Sequence, residues 1–132
     1  MSDPVFQTAL ETGRDLSEQM MPGLEAALAG KYDRYLPGFA AWQVATVYGG
    51  PYAREGLDLK TRQLNTVAVL AALGGQTRPQ LKIHVRSALD QGWSPQQISE
   101  TILQTALYGG FPAMINALNA AIEVFEEAET AP

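Results

Sequence analysis

Apolar positions along this chain recur every three to four residues, and no run alternates with period two between turn signals, so the pattern predicts helices and no strands. Phe6, Ala9, Leu10, Gly13, Leu16 and Met20 keep one helical face. Asp3 suits the N-cap ahead of Pro4, and Pro22-Gly23 breaks the run. A short helix over residues 24–29 ends at Gly30, and KYDRYLP (31–37) reads as a connector. Beyond Gly38, the residues Phe39, Trp42, Ala45 and Thr46 share a face of a helix that stops at Tyr48-Gly49-Gly50-Pro51.

The second half is better punctuated. Asp58 can cap a helix with the stripe Leu64, Val67, Ala68 and Ala71, closed by Gly74-Gly75. Thr77-Arg78-Pro79-Gln80 has the form of a capping box, and Ser94-Pro95-Gln96-Gln97 is a second. Between them Leu81, His84, Val85, Ala88 and Leu89 line one face of a helix ending at Gly92. Ile98, Ile102, Thr105 and Ala106 carry the next helix to Tyr108-Gly109-Gly110. Pro112 opens the last, with Ile115, Leu118, Ile122 and Phe125 expected inward and an acidic, fraying end. The second Tyr-Gly-Gly needs only two helix ends of similar chemistry, not a duplication.

The expectation is an all-α bundle of about six to seven helices. With 132 residues, 46% of them hydrophobic, the chain can bury one core, so residues 1–132 are expected to form a single domain. Residues 1–20 would be its N-terminal helix and 57–125 its core motif region. No window approaches the roughly 18 consecutive apolar residues of a membrane span. The start, Ser2, Asp3 and Pro4, lacks a basic-then-apolar leader, so a soluble cytoplasmic protein is expected. Absence of cysteine excludes disulfides, thiolate metal sites and thiol redox chemistry within the chain. A net charge of −5 argues against general nucleic-acid binding, which needs accumulated Lys and Arg.

That charge is unevenly spread. Arg54, Lys60, Arg62, Arg78, Lys82 and Arg86 are six of the nine basic residues, opposed between positions 54 and 86 only by Glu55 and Asp58. The segment is net +4 and the remainder net −9. It also holds the single histidine, His84. A basic island with one imidazole suggests a site for a small organic anion. Lys60 and Arg62 fall in or near a helix's first turn, where the macrodipole disfavours cations by a few tenths of a kcal/mol up to about 1. Helix stability alone would place acids there, so both are candidate carboxylate binders; an intersubunit salt bridge explains them equally well. Arg54, just ahead of that helix, is a weaker candidate. Arg78 can point to solvent, and Lys82, Arg86 and Asp90 have the spacing of a solvated face. Gln63 and Gln104 can hydrogen-bond a carbonyl or orient His84, and are ordinary polar positions otherwise. His84 itself is either a proton donor, with an unperturbed pKa near 6.5, or a satisfied core histidine. Tyr48, Tyr108 and Trp42 read as packing residues. A lone histidine without cysteine gives no metal-ligand spacing, and no phosphate-loop motif is present.

Taken in order, Arg54-Glu55-Gly56-Leu57-Asp58, Lys60-Thr61-Arg62, His84-Val85-Arg86, Ala88-Leu89, Leu107-Tyr108-Gly109-Gly110 and Pro112-Ala113 resemble the carboxymuconolactone decarboxylase family over roughly residues 20–125. The resemblance implies an all-helical subunit of the alkylhydroperoxidase D-like type, assembled as a homohexamer built from a trimer of dimers. It implies a cofactor-free decarboxylase of a carboxylated lactone in aromatic catabolism, with His84 as proton donor and Arg62, Lys60 and Arg54 near the substrate's carboxylates. The thiol peroxidases of the same superfamily carry CxxC ahead of the histidine, where this chain has Thr77 and Gln80, so that chemistry is excluded. Gln104 stands where the decarboxylases often have a second histidine, Gln63 where glutamate is frequent and Tyr48 where tryptophan is common. These departures keep a second expectation open, a non-catalytic oligomeric binder of a small acid.

Overall fold

In a computed structural model, which describes residues 3–131, the chain is helical throughout, with no strand among the described residues. It divides into two compact units, residues 1–57 and residues 58–132.

In the first unit, helix α1 (Pro4–Met20) starts at Asp3, whose carboxylate accepts the Val5 N–H at 2.9 Å. It packs against α3 (Phe39–Val47) through Leu10, Val44 and Ala45, with Phe6, Ala9 and Ala41 at the margin. The two backbones approach closely at Gly13 and at Gly49. A Cβ on Gly49 would lie 2.0 Å from the Ala9 carbonyl oxygen. The short α2 (Leu24–Leu28) does not end at Gly30 as the sequence suggested; it runs on as a π-helical turn, Ala29–Asp33, through half of the expected connector. Asp33 then accepts the Ala40 N–H at 3.0 Å, doing for α3 what Gly38, without a side chain, cannot. The expected inward face of α3 is rotated: Ala40, Val44 and Ala45 are buried, whereas Trp42 is 54% exposed. Tyr48 is buried as expected, its ring stacked on Tyr52 with centroids 5.1 Å apart.

The second unit consists of α4 (Leu59–Leu73), a 3-10 turn (Gly75–Thr77), α5 (Arg78–Asp90), α6 (Pro95–Gln104), the single turn α7 (Ala106–Gly109) and α8 (Phe111–Thr130). Val67, Leu81, Val85, Ile98, Ile102 and Val124 form the fully buried centre, each stabilising the fold by roughly 1.5–3 kcal/mol through burial. The face of α8 differs from the expected one. Met114, Ala117, Ala120, Ala121 and Val124 point inward with Phe125, and Ile115 and Ile122 look out. Small residues let helix axes come close, and alanines win the interior here.

Of the two expected capping boxes, one forms. Ser94 Oγ accepts the Gln97 N–H (3.0 Å) while Gln97 Oε1 accepts the Ser94 N–H (2.9 Å). Thr77 makes no such bond. Its hydroxyl turns back to donate to the Leu70 (2.6 Å) and Gly74 (2.9 Å) carbonyls, closing the end of α4 instead of opening α5. None of the described helices is long and apolar enough to cross a membrane.

Candidate functional site

Helices α4 and α5 carry most of the candidate residues. Asp58 fixes where α4 begins by accepting the Thr61 N–H at 2.7 Å. Hydrogen bonds from the Thr61 hydroxyl and then its N–H hold the Asp58 carboxyl below its ordinary pKa. With the start fixed, Lys60, Arg62 and Gln63 fall within four consecutive residues near the beginning of the helix. Their side chains then part company.

Lys60 turns to Trp93. Its ammonium lies 4.4 Å from the ring centroid, while the indole N–H donates to the Lys60 carbonyl at 2.8 Å. The sequence reading gave Trp93 no role. A tryptophan between a helix-ending glycine and a capping serine belongs to no helical stripe, and that placement was the available signal. Arg62 is half-buried, its Nε shielded from water and its carbonyl accepting the Thr66 hydroxyl at 3.0 Å. A guanidinium so placed can hold a carboxylate by two parallel hydrogen bonds.

Gln63 is fully buried and reaches α5. Its amide nitrogen donates to the His84 backbone carbonyl at 3.1 Å, and its amide oxygen lies 3.3 Å from His84 Nδ1. One glutamine therefore holds both the backbone and the ring of the histidine. His84 is half-buried, neither sealed in hydrocarbon nor free in water. Burial penalises the imidazolium and pushes the pKa down from 6.5 to about 4, so the ring is neutral at pH 7. A proton must reach it before it can give one away.

Three further cations of the basic island face acids of α8. Arg78 pairs with Glu123, Lys82 lies 3.5 Å from both Glu123 and Glu127, and Arg86 pairs with Glu127. Arg78, read as free to point to solvent, is thus engaged by α8. These pairs are half-exposed and worth about 0–1 kcal/mol each, but they cancel much of the local charge that counting along the sequence had assigned to one anion site. Gln104 is exposed at the end of α6 and lines an open cleft of about 280 Å3 with Ala68, Thr101, Thr105 and Tyr108. Neither Gln63 nor His84 lines that cleft. Tyr108, expected to pack, is 89% exposed there. Arg54 belongs to the first unit, exposed just after the 3-10 turn Pro51–Ala53. Gln63 and His84 are therefore joined, Arg62 and Lys60 share Gln63's turn of helix, and Gln104 lies apart.

Comparison with known proteins agrees with the motifs. The family model described as "Carboxymuconolactone decarboxylase family" matches residues 37–123. An uncharacterized 15.0 kDa protein from the nqo9-nqo10 intergenic region of Paracoccus denitrificans is 36% identical over 123 residues, covering 93% of this chain and 92% of that protein. The 4-carboxymuconolactone decarboxylase of Acinetobacter baylyi is 39% identical over 85 residues, 64% of this chain and 62% of its own length. The nitrosuccinic acid decarboxylase npaB of Metarhizium robertsii is 34% identical over 71 residues, 54% of this chain and 48% of its own. With nearly its whole length aligned to one relative and the family's motifs in order around His84, this chain belongs to the carboxymuconolactone decarboxylase family.

Proposed function

We propose that the protein is a cofactor-free decarboxylase of a small carboxylated lactone or related unsaturated acid, with His84 as the group that delivers the proton. The observation that carries this reading is the Gln63–His84 pair, in a family with two relatives named as decarboxylases. When such a lactone loses CO2, the C–CO2 bond breaks and its electron pair moves through the ring double bond onto the lactone carbonyl. The dienolate left behind then takes a proton on a ring carbon. The lactone is its own electron sink, so the protein has to place the substrate, stabilise developing negative charge and supply one proton.

Arg62 and Lys60, both on α4, are the proposed carboxylate binders. Of these, Arg62 is the stronger, because its guanidinium is partly desolvated, and Lys60 would have to leave Trp93 to serve. His84, neutral at rest, would take its proton from solvent once a bound substrate's negative charge favours the imidazolium. It then returns to the neutral form on protonating carbon, so each turnover consumes the one proton the reaction requires. Gln63 would orient the ring, whereas Gln104, in a cleft that His84 does not line, is left out of this site. We read the active form as a cytoplasmic homo-oligomer, a hexamer by family resemblance.

The test is direct. Purified protein mixed with 4-carboxymuconolactone should remove the lactone's ultraviolet absorbance with release of CO2. His84→Ala should slow this by about a hundredfold or more if proton transfer is at stake. Unchanged rates in that variant would sink the assignment. A second reading, a non-catalytic binder of a small acid, is favoured by two uncharged glutamines, Gln63 and Gln104, at positions where relatives often place ionisable groups. Thermal stabilisation by the lactone without turnover would select it.

A further inference from the structure

The two hydrogen bonds of Gln63 are not independent. A backbone carbonyl can only accept, so the end of the Gln63 amide facing the His84 carbonyl, 3.1 Å away, must be the NH2 group. The oxygen is then the end that faces Nδ1, at 3.3 Å. An amide oxygen can only accept as well, so Nδ1 must be the nitrogen that carries the hydrogen. The neutral ring has one hydrogen to place, and the other nitrogen, Nε2, is left with its lone pair. Gln63 is 0% exposed and α4 packs directly on α5, so the amide cannot easily turn over and exchange its two ends.

We infer that Gln63 is a positioning residue that locks His84 in the Nδ1–H tautomer, making Nε2 the one ring atom that takes up and delivers protons. The tautomer lock stands on geometry alone; the catalytic use of Nε2 rests on the decarboxylase reading above. Glutamine differs here from a carboxylate, which could accept the Nδ1 hydrogen but could not donate to the His84 carbonyl and would favour the imidazolium. An amide fixes the ring in place while leaving it uncharged, which suits a site that takes one proton from solvent per turnover and passes it to carbon. The substrate carbon to be protonated must therefore lie on the Nε2 side of the ring.

His84 is the chain's only histidine, so selective nitrogen-15 labelling of untagged protein gives the spectrum of a single ring. At pH 7 the wild type should show a pyrrole-like, protonated Nδ1 and a pyridine-like Nε2. Gln63→Glu should keep Nδ1 protonated, because the carboxylate still accepts from it. Gln63→Met removes the acceptor and should shift the ring toward Nε2–H, with kcat for the lactone falling at least tenfold and KM changing little. An unprotonated Nδ1 in the wild type, or a tautomer unmoved by Gln63→Met, would overturn the lock. Should Gln63→Met fail to fold, the wild-type and Gln63→Glu spectra decide the question by themselves. A locked tautomer in a protein with no activity on the lactone would leave this inference standing and remove the decarboxylase reading instead.

Discussion

His84 would titrate near 6.5 in an unfolded chain and titrates near 4 in the fold, because burial penalises its charged form. Between those values the unfolded chain binds a proton that the native chain refuses. The stability this group confers is therefore complete above about pH 6.5 and is lost as pH falls toward 4, by about 2 kcal/mol at pH 4.5. Carboxylates titrate in the same range, so the informative quantity is the difference between wild type and His84→Gln. Denaturant unfolding at pH 7 and at pH 4.5 should show the wild type losing about 2 kcal/mol more than the variant; equal losses would mean that the imidazole titrates normally. Both members of the Gln63–His84 pair were candidates from sequence, and Gln63 was offered there, alongside Gln104, as able to orient His84 or as an ordinary polar position. What stayed hidden was which glutamine does so, since nothing in a 21-residue separation says that a buried amide on one helix will span both the ring and the carbonyl of a residue on the next. The charge island misled for the matching reason: Glu123 and Glu127 are distant in sequence and adjacent in the fold.

At the level of helices, capping separates what composition shows from what geometry decides. Ser94 and Thr77 head motifs of the same form, but only Ser94 uses its oxygen as an acceptor for a helix start. Ser94→Ala should cost about 1 kcal/mol, the usual price of a lost N-cap. Thr77→Asp distinguishes the two roles. Aspartate is as good an N-cap as threonine, so a capping Thr77 would tolerate the change, whereas one that donates to the Leu70 and Gly74 carbonyls would not. We expect Thr77→Asp to lower stability by about 1 kcal/mol or more, with Thr77→Ser close to wild type in thermal unfolding. Gly49→Ala should be worse than either, because the new methyl would meet the Ala9 and Ala45 carbonyl oxygens at 2.0 and 2.6 Å and α1 would have to move off α3. Helix order and breakpoints were legible because proline, glycine and capping side chains act locally. The inward faces of α3 and α8 were not, since a sequence reading puts the largest apolar side chains inside. Close helix packing put Ala40, Ala117, Ala120 and Ala121 there instead, and left Trp42, Ile115 and Ile122 toward solvent.

Those outward apolar residues matter for the molecule as a whole. Leu103 at the end of α6, Leu107 and Tyr108 on α7, and Phe111 and Ile115 at the start of α8 follow one another along the corner that joins these helices, each at least 47% exposed. Val69 and Leu73, on the outer side of α4, are exposed as well. Scattered exposed leucines need no explanation, but a run of large apolar side chains around one corner leaves hydrocarbon in water at about 25 cal/mol per Å2. Burial against a further copy of the chain would remove that cost, and the net charge of −5 is small enough not to oppose it strongly. The oligomer expected from family resemblance thus has a physical motive, and the surface to test is defined. Light scattering at micromolar concentration should give a mass several times the 14.3 kDa of one chain. Leu107→Glu combined with Phe111→Glu should reduce it toward one or two chains while the helical circular dichroism stays unchanged, because neither side chain belongs to the buried core. A wild-type mass of one chain would exclude the hexamer, and an unaltered mass in the double variant would move the interface away from this corner. The same preparations connect assembly with chemistry. If a neighbouring copy helps to complete the site at His84, the double variant should lose turnover of the lactone along with its mass; if each subunit works alone, activity per chain should survive dissociation.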